Sequence, residues 1–146
     1  MKHNKKPFDI IIVGGGHAGL EAAHIAAFRG HSVCLVTMDK KAIGRMSCNP
    51  SIGGLAKGQM VREIDILGGL MGRLSDVSGL QYKMLNKSKG RSVWSPRAQI
   101  DKRRYESLAV ASITSNKNIS IKNGEVVGLS FFSDVLSGAV LRSGDI

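Results

Sequence analysis

One glycine-rich turn constrains the fold of this chain more than any other feature of its sequence. The turn is Gly14-Gly15-Gly16-His17-Ala18-Gly19, and it follows an apolar, β-branched run at residues 8–13. Such a run without polar alternation is typical of a strand covered on both faces in a parallel sheet. Small and apolar residues at 18–29 predict a helix capped by Gly30, and residues 31–37 predict a second strand. The order strand, glycine turn, helix and strand indicates a βαβ unit.

The spacing of the glycines satisfies the pattern G-x-G-x-x-G, which indicates a dinucleotide site when it lies between a strand and a helix. Gly14 permits the tight turn, Gly16 lets the backbone approach a pyrophosphate, and Gly19 allows close packing of helix and strand. The pyrophosphate would meet backbone N–H groups at the positive end of the helix dipole. We therefore assign all of residues 14–19 to a candidate cofactor site, with His17 contributing its backbone. The alternative is that the glycines only make a turn.

The ribose ligand is less clearly marked than the phosphate site. This fingerprint normally ends with an acidic residue at the end of the second strand, where it holds a ribose hydroxyl. That position is Thr37 here, and Asp39 follows two residues later. Either Asp39, or the hydroxyl or backbone of Thr37, is a candidate ribose contact. A triphosphate-binding loop is excluded because Lys57-Gly58 is not followed by Ser or Thr.

A second glycine-rich segment spans residues 46–58 and predicts a long functional loop over 39–58. A loop of this kind entering a helix supplies N–H groups to an anion or to the polar edge of a flavin ring. Asn49, Gly53 and Gly54 are its candidate cofactor contacts. Cys48, beside Arg45, is the candidate catalytic residue because a nearby cation and a helix start lower a thiol pKa. The alternative is a packed, inert cysteine, the role predicted for Cys34 within its strand.

The remainder of the chain predicts alternating helices and strands. A helix is predicted over 59–71, loosened at Gly68-Gly69, and a second helix is predicted to begin at Ser95-Pro96 and to run to about residue 115. Strands are predicted at 119–122, 125–132 and 138–142, separated by Asn123-Gly124 and Ser137-Gly138 turns. The fold class is therefore α/β: a Rossmann-like parallel sheet with flanking helices and the start of a β meander after Ile119, incomplete as a whole.

The composition indicates which class of partner the chain would bind and in which cellular compartment we expect it. The 146 residues suit one domain, and 21 Lys plus Arg against 11 Asp plus Glu give a net charge of +10, which favours polyanionic partners. Two cysteines without a CxxC pattern argue against a disulfide scaffold and a zinc site, so we expect no metal and a cytoplasmic location. No apolar run has the ~20 residues of a membrane span, and no signal peptide is predicted.

Basic residues cluster in the middle of the sequence, where either a solvated face or a phosphate-binding surface explains them. They are Lys83, Lys87, Lys89, Arg91, Arg97, Lys102, Arg103 and Arg104. One Trp, two Tyr and four Phe are too few to indicate an aromatic platform for stacked bases. Any contact with nucleic acid would therefore be mainly to phosphates.

Six blocks of the sequence match one family. They lie at residues 14–23, 43–54, 57–58, 63–71, 86–90 and 97–101, and the most specific is Ser47-Cys48-Asn49-Pro50-Ser51-Ile52-Gly53-Gly54. Together they resemble the N-terminal part of the MnmG family, also called GidA, the FAD-dependent tRNA uridine 5-carboxymethylaminomethyl modification enzymes. The chain departs from the family at Gly90-Arg91-Ser92, where members often have Gly-Pro-Ala.

The resemblance implies a set of ligands and partners. FAD phosphates would lie on residues 14–19, the backbone of Val126 would meet the adenine, and Cys48 would be a candidate nucleophile. Family members form a homodimer, and a heterotetramer with the GTPase MnmE, and modify carbon 5 of the wobble uridine of tRNA. They use NADH, whose binding region is absent from this chain, with methylene-tetrahydrofolate and glycine or ammonium as substrates.

The family proteins are several times longer, so we expect residues 1–146 to be a dinucleotide-binding domain, an N-terminal fragment that is inactive alone. Two alternatives stay open from the sequence. One is a folate-dependent tRNA uridine methyltransferase or another FAD oxidoreductase. The other is a non-catalytic fragment that binds tRNA or a partner through its basic surface.

Overall fold

The computed structural model describes residues 8–47 and 49–145. The chain divides into two compact units. The first unit comprises residues 1–43 and 113–146, and the second comprises Gly44–Ser112. The assignment of all 146 residues to one FAD-binding domain stays a prediction.

The structure contains strands and helices in an alternating order. The strands are β1 (Ile10–Val13), β2 (Val33–Thr37), β3 (Ser51–Gly53), β4 (Gly79–Leu85), β5 (Ser95–Ile100), β6 (Ile119–Asn123), β7 (Val126–Phe132), β8 (Val135–Leu141) and β9 (Gly144–Asp145). The helices are α1 (His17–Phe28), α2 (Lys57–Ile66), α3 (Met71–Ser78) and α4 (Lys102–Thr114). Short 3-10 turns lie at Lys40–Ala42, Lys87–Lys89 and Arg91–Val93.

A parallel sheet in the order β1-β2-β6 forms the centre of the first unit. Every residue of β2 is buried, as the continuous apolar run predicts for a strand flanked on both edges. Leu20 and Ala23 of α1 are completely buried, and the helix ends before Gly30, whose φ of +91° suits a glycine cap. The predicted βαβ unit and the α/β class are confirmed.

The predicted meander is confirmed for its later strands, which form an antiparallel sheet in the order β7-β8-β9. Its first strand, predicted at 119–122, belongs instead to the parallel sheet as β6. Its first turn was misplaced by the sequence prediction, because Ser137 and Gly138 lie inside β8. The chain turns instead at Ser133-Asp134, where both residues have positive φ, 48° and 64°. Two left-handed residues match the twist of the flanking strands in a two-residue hairpin, so the pairing of Phe132 with Val135 closes directly over them.

The second unit contains an antiparallel sheet in the order β3-β5-β4, with α2 and α3 packed on it. The predicted loop over 39–58 is wrong in part, because it contains β3 and a 3-10 turn. The predicted helix over 59–71 ends at Ile66, next to Gly68 with a φ of +89°, and α3 is a separate helix.

The prediction of a helix start at Ser95-Pro96 is wrong. These residues begin β5, the central strand of the second sheet, where Ser95 pairs with Leu85 and Pro96 pairs with Met84. The helix begins six residues later, because pairing with β4 holds Ser95 and Pro96 in a strand and Asp101 caps the helix instead. The Asp101 carboxylate accepts the backbone N–H of Arg104 at 3.1 Å, and its carbonyl accepts that of Tyr105 at 2.9 Å.

The packing of α1 on β1 depends on one residue without a side chain. A Cβ added to Gly19 would overlap the carbonyl oxygen of Gly14 and would lie 3.5 Å from the Cγ2 of Ile12. The Gly14 oxygen is a backbone atom, so it cannot give way as a flexible side chain could, whereas the contact with Ile12 is an ordinary one. The third glycine of the motif is therefore required for the close approach of helix and strand.

We expect Gly19→Ala to lower the free energy of unfolding by about 3 kcal/mol, because the overlap is with backbone and forces the helix outward. The measurement is guanidinium unfolding followed by circular dichroism. Gly128→Ala is the control, since its Cβ would meet only the Cβ of Val140 at 3.8 Å, an ordinary contact. Equal unfolding midpoints for the two variants would show that the close approach is not needed.

Candidate functional site

The glycine turn leaves β1 in a conformation that few other residues adopt. Gly14 has a φ of +105°, and its N–H donates to the carbonyl of Val36 at 2.8 Å. A Cβ at Gly14 would meet no atom within 4 Å, so its constraint is conformational rather than steric. This glycine therefore redirects the chain from the carboxyl end of β1 toward α1.

Gly15 lies against the end of β2. It is buried, and a Cβ there would come within 3.0 Å of both the Cγ1 of Ile43 and the Oγ1 of Thr37. The absence of a side chain thus lets the turn lie directly on Thr37. The structure brings the predicted phosphate turn and one predicted ribose contact together.

Gly16 caps α1 and leaves the start of the helix open. Its side-chain position offers no capping group, and a Cβ there would meet no atom within 4 Å. The first turn of a helix carries N–H groups that have no acceptor within the helix, and the helix dipole makes this end positive. An open, positively polarised helix start of this kind has the shape and the donors that a pyrophosphate requires, so residues 14–19 fit a dinucleotide.

Thr37 and Asp39 form a small hydrogen-bonded unit after β2. The Thr37 hydroxyl donates to the carbonyl of Asp39 at 3.2 Å, and the Asp39 carboxylate accepts the N–H of Lys41 at 2.8 Å. Thr37 is buried and Asp39 is exposed. The carboxylate is therefore held at a defined position by its own 3-10 turn, and its role as the ribose contact stays a prediction.

The end of β6 is hydrogen-bonded to the end of β2. The N–H of Gly124 donates to the carbonyl of Thr37 at 3.0 Å. With its amide turned so that the nitrogen faces this carbonyl, Asn123 donates to Thr37 at 3.1 Å and to the carbonyl of Met38 at 2.9 Å. The Asn123-Gly124 turn predicted from the sequence thus also fixes the end of β2.

Val126, the predicted adenine contact, begins β7. It pairs with Leu141 and packs against a cluster of Cys34, Val36 and Leu141. The preceding residue, Glu125, accepts two hydrogen bonds from the guanidinium of Arg142, at 2.7 and 3.0 Å, which lowers the pKa of its carboxyl group. This exposed pair links the residue before β7 to the residue after β8, next to the pairing of Val126 with Leu141.

The predicted contacts of the second unit lie around β3. Asn49 accepts the N–H of Ser51 at 2.7 Å through its carbonyl, and Gly54 donates to the carbonyl of Pro96 at 2.8 Å. A Cβ at Gly53 would overlap that same carbonyl. Close pairing of β3 with β5 therefore explains Gly53 by itself. Its contact with a cofactor, like that of Asn49 and Gly54, stays a prediction.

The structure describes one of the two cysteines, Cys34, and not the other, Cys48. Cys48, the candidate catalytic residue, lies outside the described residues, so its role stays a prediction. Cys34 is completely buried in β2, which confirms that it belongs to the core. Burial raises the pKa of the Cys34 thiol, and Lys122 opposes this effect only in part.

The structure separates the basic residues into three groups. The first group, Lys83 and Arg97, lies on β4 and β5, where the two residues are opposite each other. The second group lies on the two 3-10 turns between those strands and consists of Lys87, Lys89 and Arg91. The third group lies in the first turn of α4 and consists of Lys102, Arg103 and Arg104. Sequence reasoning missed Gln81 and Gln99, which pair beside Lys83 and Arg97. The two-residue alternation of Gln81, Lys83 and Leu85 was the signal that could have identified this face.

Trp94, which carried no interpretation from the sequence, organises the loop between β4 and β5. Its indole N–H donates to the carbonyl of Lys87 at 3.3 Å, and the guanidinium of Arg91 lies 5.8 Å from its ring centre.

Within residues 8–47 and 49–145, no helix is long and apolar enough to cross a membrane.

Comparison with known proteins identifies one family. The family model described as glucose inhibited division protein A matches residues 9–146. The tRNA uridine 5-carboxymethylaminomethyl modification enzyme MnmG of Bacteroides fragilis is 49% identical over 138 residues, which are 88% of this chain and 22% of that protein. The MnmG of Protochlamydia amoebophila is 47% identical over 137 residues, 94% of this chain and 22% of that protein.

Solved structures similar to this chain include members of the same family. GidA from Aquifex aeolicus superposes with a TM-score of 0.92 at 45% identity, and the match covers 97% of this chain and 24% of that one. The chain thus spans about a fifth to a quarter of the length of these relatives.

We expect Cys34 to resist thiol reagents in the native state because burial keeps it protonated and inaccessible. In a Cys48→Ser chain, a chromogenic disulfide reagent should titrate the Cys34 thiol only after guanidinium is added. The unfolded chain releases this proton more easily, so stability should be complete below the ordinary thiol pKa of 9.0 and should fall as the pH rises above it. Rapid labelling of the native chain at pH 8 would contradict the burial.

Proposed function

Because the chain belongs to the family of glucose inhibited division protein A, we propose that it forms the FAD-binding part of an enzyme that modifies uridine in tRNA. Its MnmG relatives, which are named as tRNA uridine modification enzymes, support the substrate because they are 47 to 49% identical over most of the chain. The net charge of +10 is consistent with a polyanionic substrate.

The observation that carries the proposal is the open start of α1. Gly14 turns the chain, Gly19 brings the helix close, and Gly16 leaves room at the positive end of the dipole. These residues would hold the pyrophosphate of FAD through backbone N–H groups. When bound, FAD supplies electron transfer. The chain's own residues bind and orient the cofactor.

The adenosine part of the cofactor would lie beside the end of β2. Asp39 or Thr37 would bind the ribose, and the backbone of Val126 would contact the adenine, as the family resemblance implies. The hydrogen bonds that link Gly124 to Thr37 and Arg142 to Glu125 support this assignment because they connect the end of β2 with the start of β7 through neighbouring residues. Asn49, Gly53 and Gly54 would contact the flavin side of the cofactor.

The finer chemistry is proposed for the whole protein of the family. It comprises addition of a carboxymethylaminomethyl-type group to carbon 5 of the wobble uridine, in a homodimer that assembles with the GTPase MnmE in the cytoplasm. NADH, methylene-tetrahydrofolate and glycine or ammonium would be its other reactants, and Cys48 would act as a thiol participant. Residues 1–146 by themselves would bind FAD without completing this reaction.

We expect the chain to bind FAD and Gly16→Ala to weaken that binding at least tenfold, about 1.4 kcal/mol, because the methyl group fills the space for the pyrophosphate. The measurement is a titration followed by flavin fluorescence. Gly128→Ala is again the matched control, since it adds the same methyl group on β7. Both variants should unfold within about 1 kcal/mol of the parent. Unchanged FAD affinity in Gly16→Ala would remove the turn from the site, and no binding by the folded parent would reject the FAD proposal for this chain.

The activity can be tested in a chimera in which residues 9–146 replace the matching segment of the Bacteroides fragilis MnmG. We expect the chimera to restore the modified uridine in cells that lack the enzyme, as measured by mass spectrometry of tRNA nucleosides. Cys48→Ser should reduce the modified fraction at least a hundredfold, about 2.7 kcal/mol, if the thiol takes part in the chemistry. Cys34→Ser is the control and should keep the modification. Full modification in Cys48→Ser would reject the catalytic role.

A further inference from the structure

One face of the antiparallel sheet in the second unit carries a cleft that the proposed function does not use. The cleft has a volume of about 260 Å³ and is lined by Gln81, Lys83 and Leu85 of β4 with Arg97 and Gln99 of β5. We call it the β4–β5 cleft. All five residues belong to one pair of strands, so the cleft is built by the sheet itself.

The register of the two strands explains this lining. Gln81 pairs with Gln99 and Lys83 pairs with Arg97, so these four side chains lie on one face as two cross-strand neighbours. The intervening Tyr82 belongs to the other face, where its hydroxyl donates to the carbonyl of Ser75 on α3 at 3.3 Å. The period of two therefore places the amides and cations on the side of the strands opposite Tyr82.

The two cations stand opposite each other without a carboxylate between them. Like charges in directly opposite positions destabilise a strand pair. In the part of the chain that the structure describes, neither Lys83 nor Arg97 forms an ion pair. Arg97 donates to the neutral hydroxyl of Ser51 at 3.1 Å, which orients its guanidinium and leaves its charge unbalanced. An anion placed between Lys83 and Arg97 would remove this repulsion.

The volume of the cleft and its other side chains indicate which class of anion would bind there. The volume lies just below the ~300 Å³ at which pockets for drug-sized ligands begin, so a single nucleotide unit is the appropriate size. Guanidinium and ammonium groups bind phosphate, and the Gln amides each present donors and an acceptor that match a base edge or a ribose hydroxyl. Leu85 adds an apolar contact.

We propose that the β4–β5 cleft binds one nucleotide of single-stranded RNA, with its phosphate on Lys83 and Arg97 and its base or ribose on Gln81 and Gln99. Recognition of unpaired nucleotides through base edges is the usual mode for RNA. This inference rests on the proposed function, because tRNA is the RNA that the enzyme would present. It adds the residues that would bind that RNA within this chain.

The test is binding of a fluorescein-labelled octauridylate to the whole chain, measured by polarisation at several salt concentrations. We expect Lys83→Gln with Arg97→Gln to weaken binding at least tenfold and to reduce the slope of log K against log salt by about 0.7, the value for one phosphate of a single strand. The matched control, Arg29→Gln with Lys117→Gln, removes the same charge from exposed positions of the first unit. It should weaken binding less than threefold.

Two further variants distinguish a nucleotide site from a simple phosphate site. Lys83→Arg with Arg97→Lys keeps both charges and should bind octauridylate within threefold of the parent, which also shows that the strands still fold. Gln81→Ala with Gln99→Ala should weaken octauridylate binding about fivefold without changing the salt slope, and should leave the binding of inorganic polyphosphate unchanged. Equal losses for both probes would overturn the role of the amides.

The remaining outcomes separate this inference from the FAD proposal. Equal RNA affinity of the Lys83/Arg97 double variant and its control would overturn the cleft while leaving FAD binding intact. If the Lys83/Arg97 double variant loses FAD affinity and keeps its RNA affinity, the cleft belongs to the cofactor site and the inference is overturned. A parent chain that binds RNA through these residues and does not bind FAD would support the cleft and reject the FAD proposal.

Discussion

The close approach of α1 to β1 is the contact on which the first unit depends. Because Gly19 has no side chain, the helix can lie against the carbonyl of Gly14, and its positive end then opens beside the carboxyl end of the parallel strands. The same approach places Gly15 on Thr37. Helix packing and the candidate phosphate site are consequently two results of one steric condition.

The second unit uses the same device for a different purpose. Gly53 and Gly58 both lie against the carbonyl of Pro96, so β3 and the start of α2 pack tightly on β5. The pairing of β4 with β5 brings Gln81, Lys83, Arg97 and Gln99 together in the β4–β5 cleft. Gly19 and Gly53 thus mark close contacts between backbones, whereas Gly14 and Gly16 leave their side-chain space empty within the candidate site.

The parts of the fold that could be predicted are those encoded by neighbouring residues. The βαβ unit, Gly30 as a cap and the Asn123-Gly124 turn depend on local pattern, and they are confirmed. Ser95-Pro96 was misread because its residues satisfy the local rule for a helix start, whereas pairing with both β3 and β4 stabilises a strand there. The hairpin turn at Ser133-Asp134 was missed because neither residue is glycine, and only the strand register requires positive φ at both.

The sequence by itself determined the class of the fold, the glycine turn between β1 and α1, and the family, since each is encoded in a short run of residues with a steric or electrostatic meaning. Tertiary structure alone decided which distant residues share a surface. The pairs Gln81 with Gln99 and Lys83 with Arg97 arise from the register of strands that are separated by a loop. Cross-strand register is set by the summed packing of both faces of a sheet, and no single segment of the sequence contains that sum.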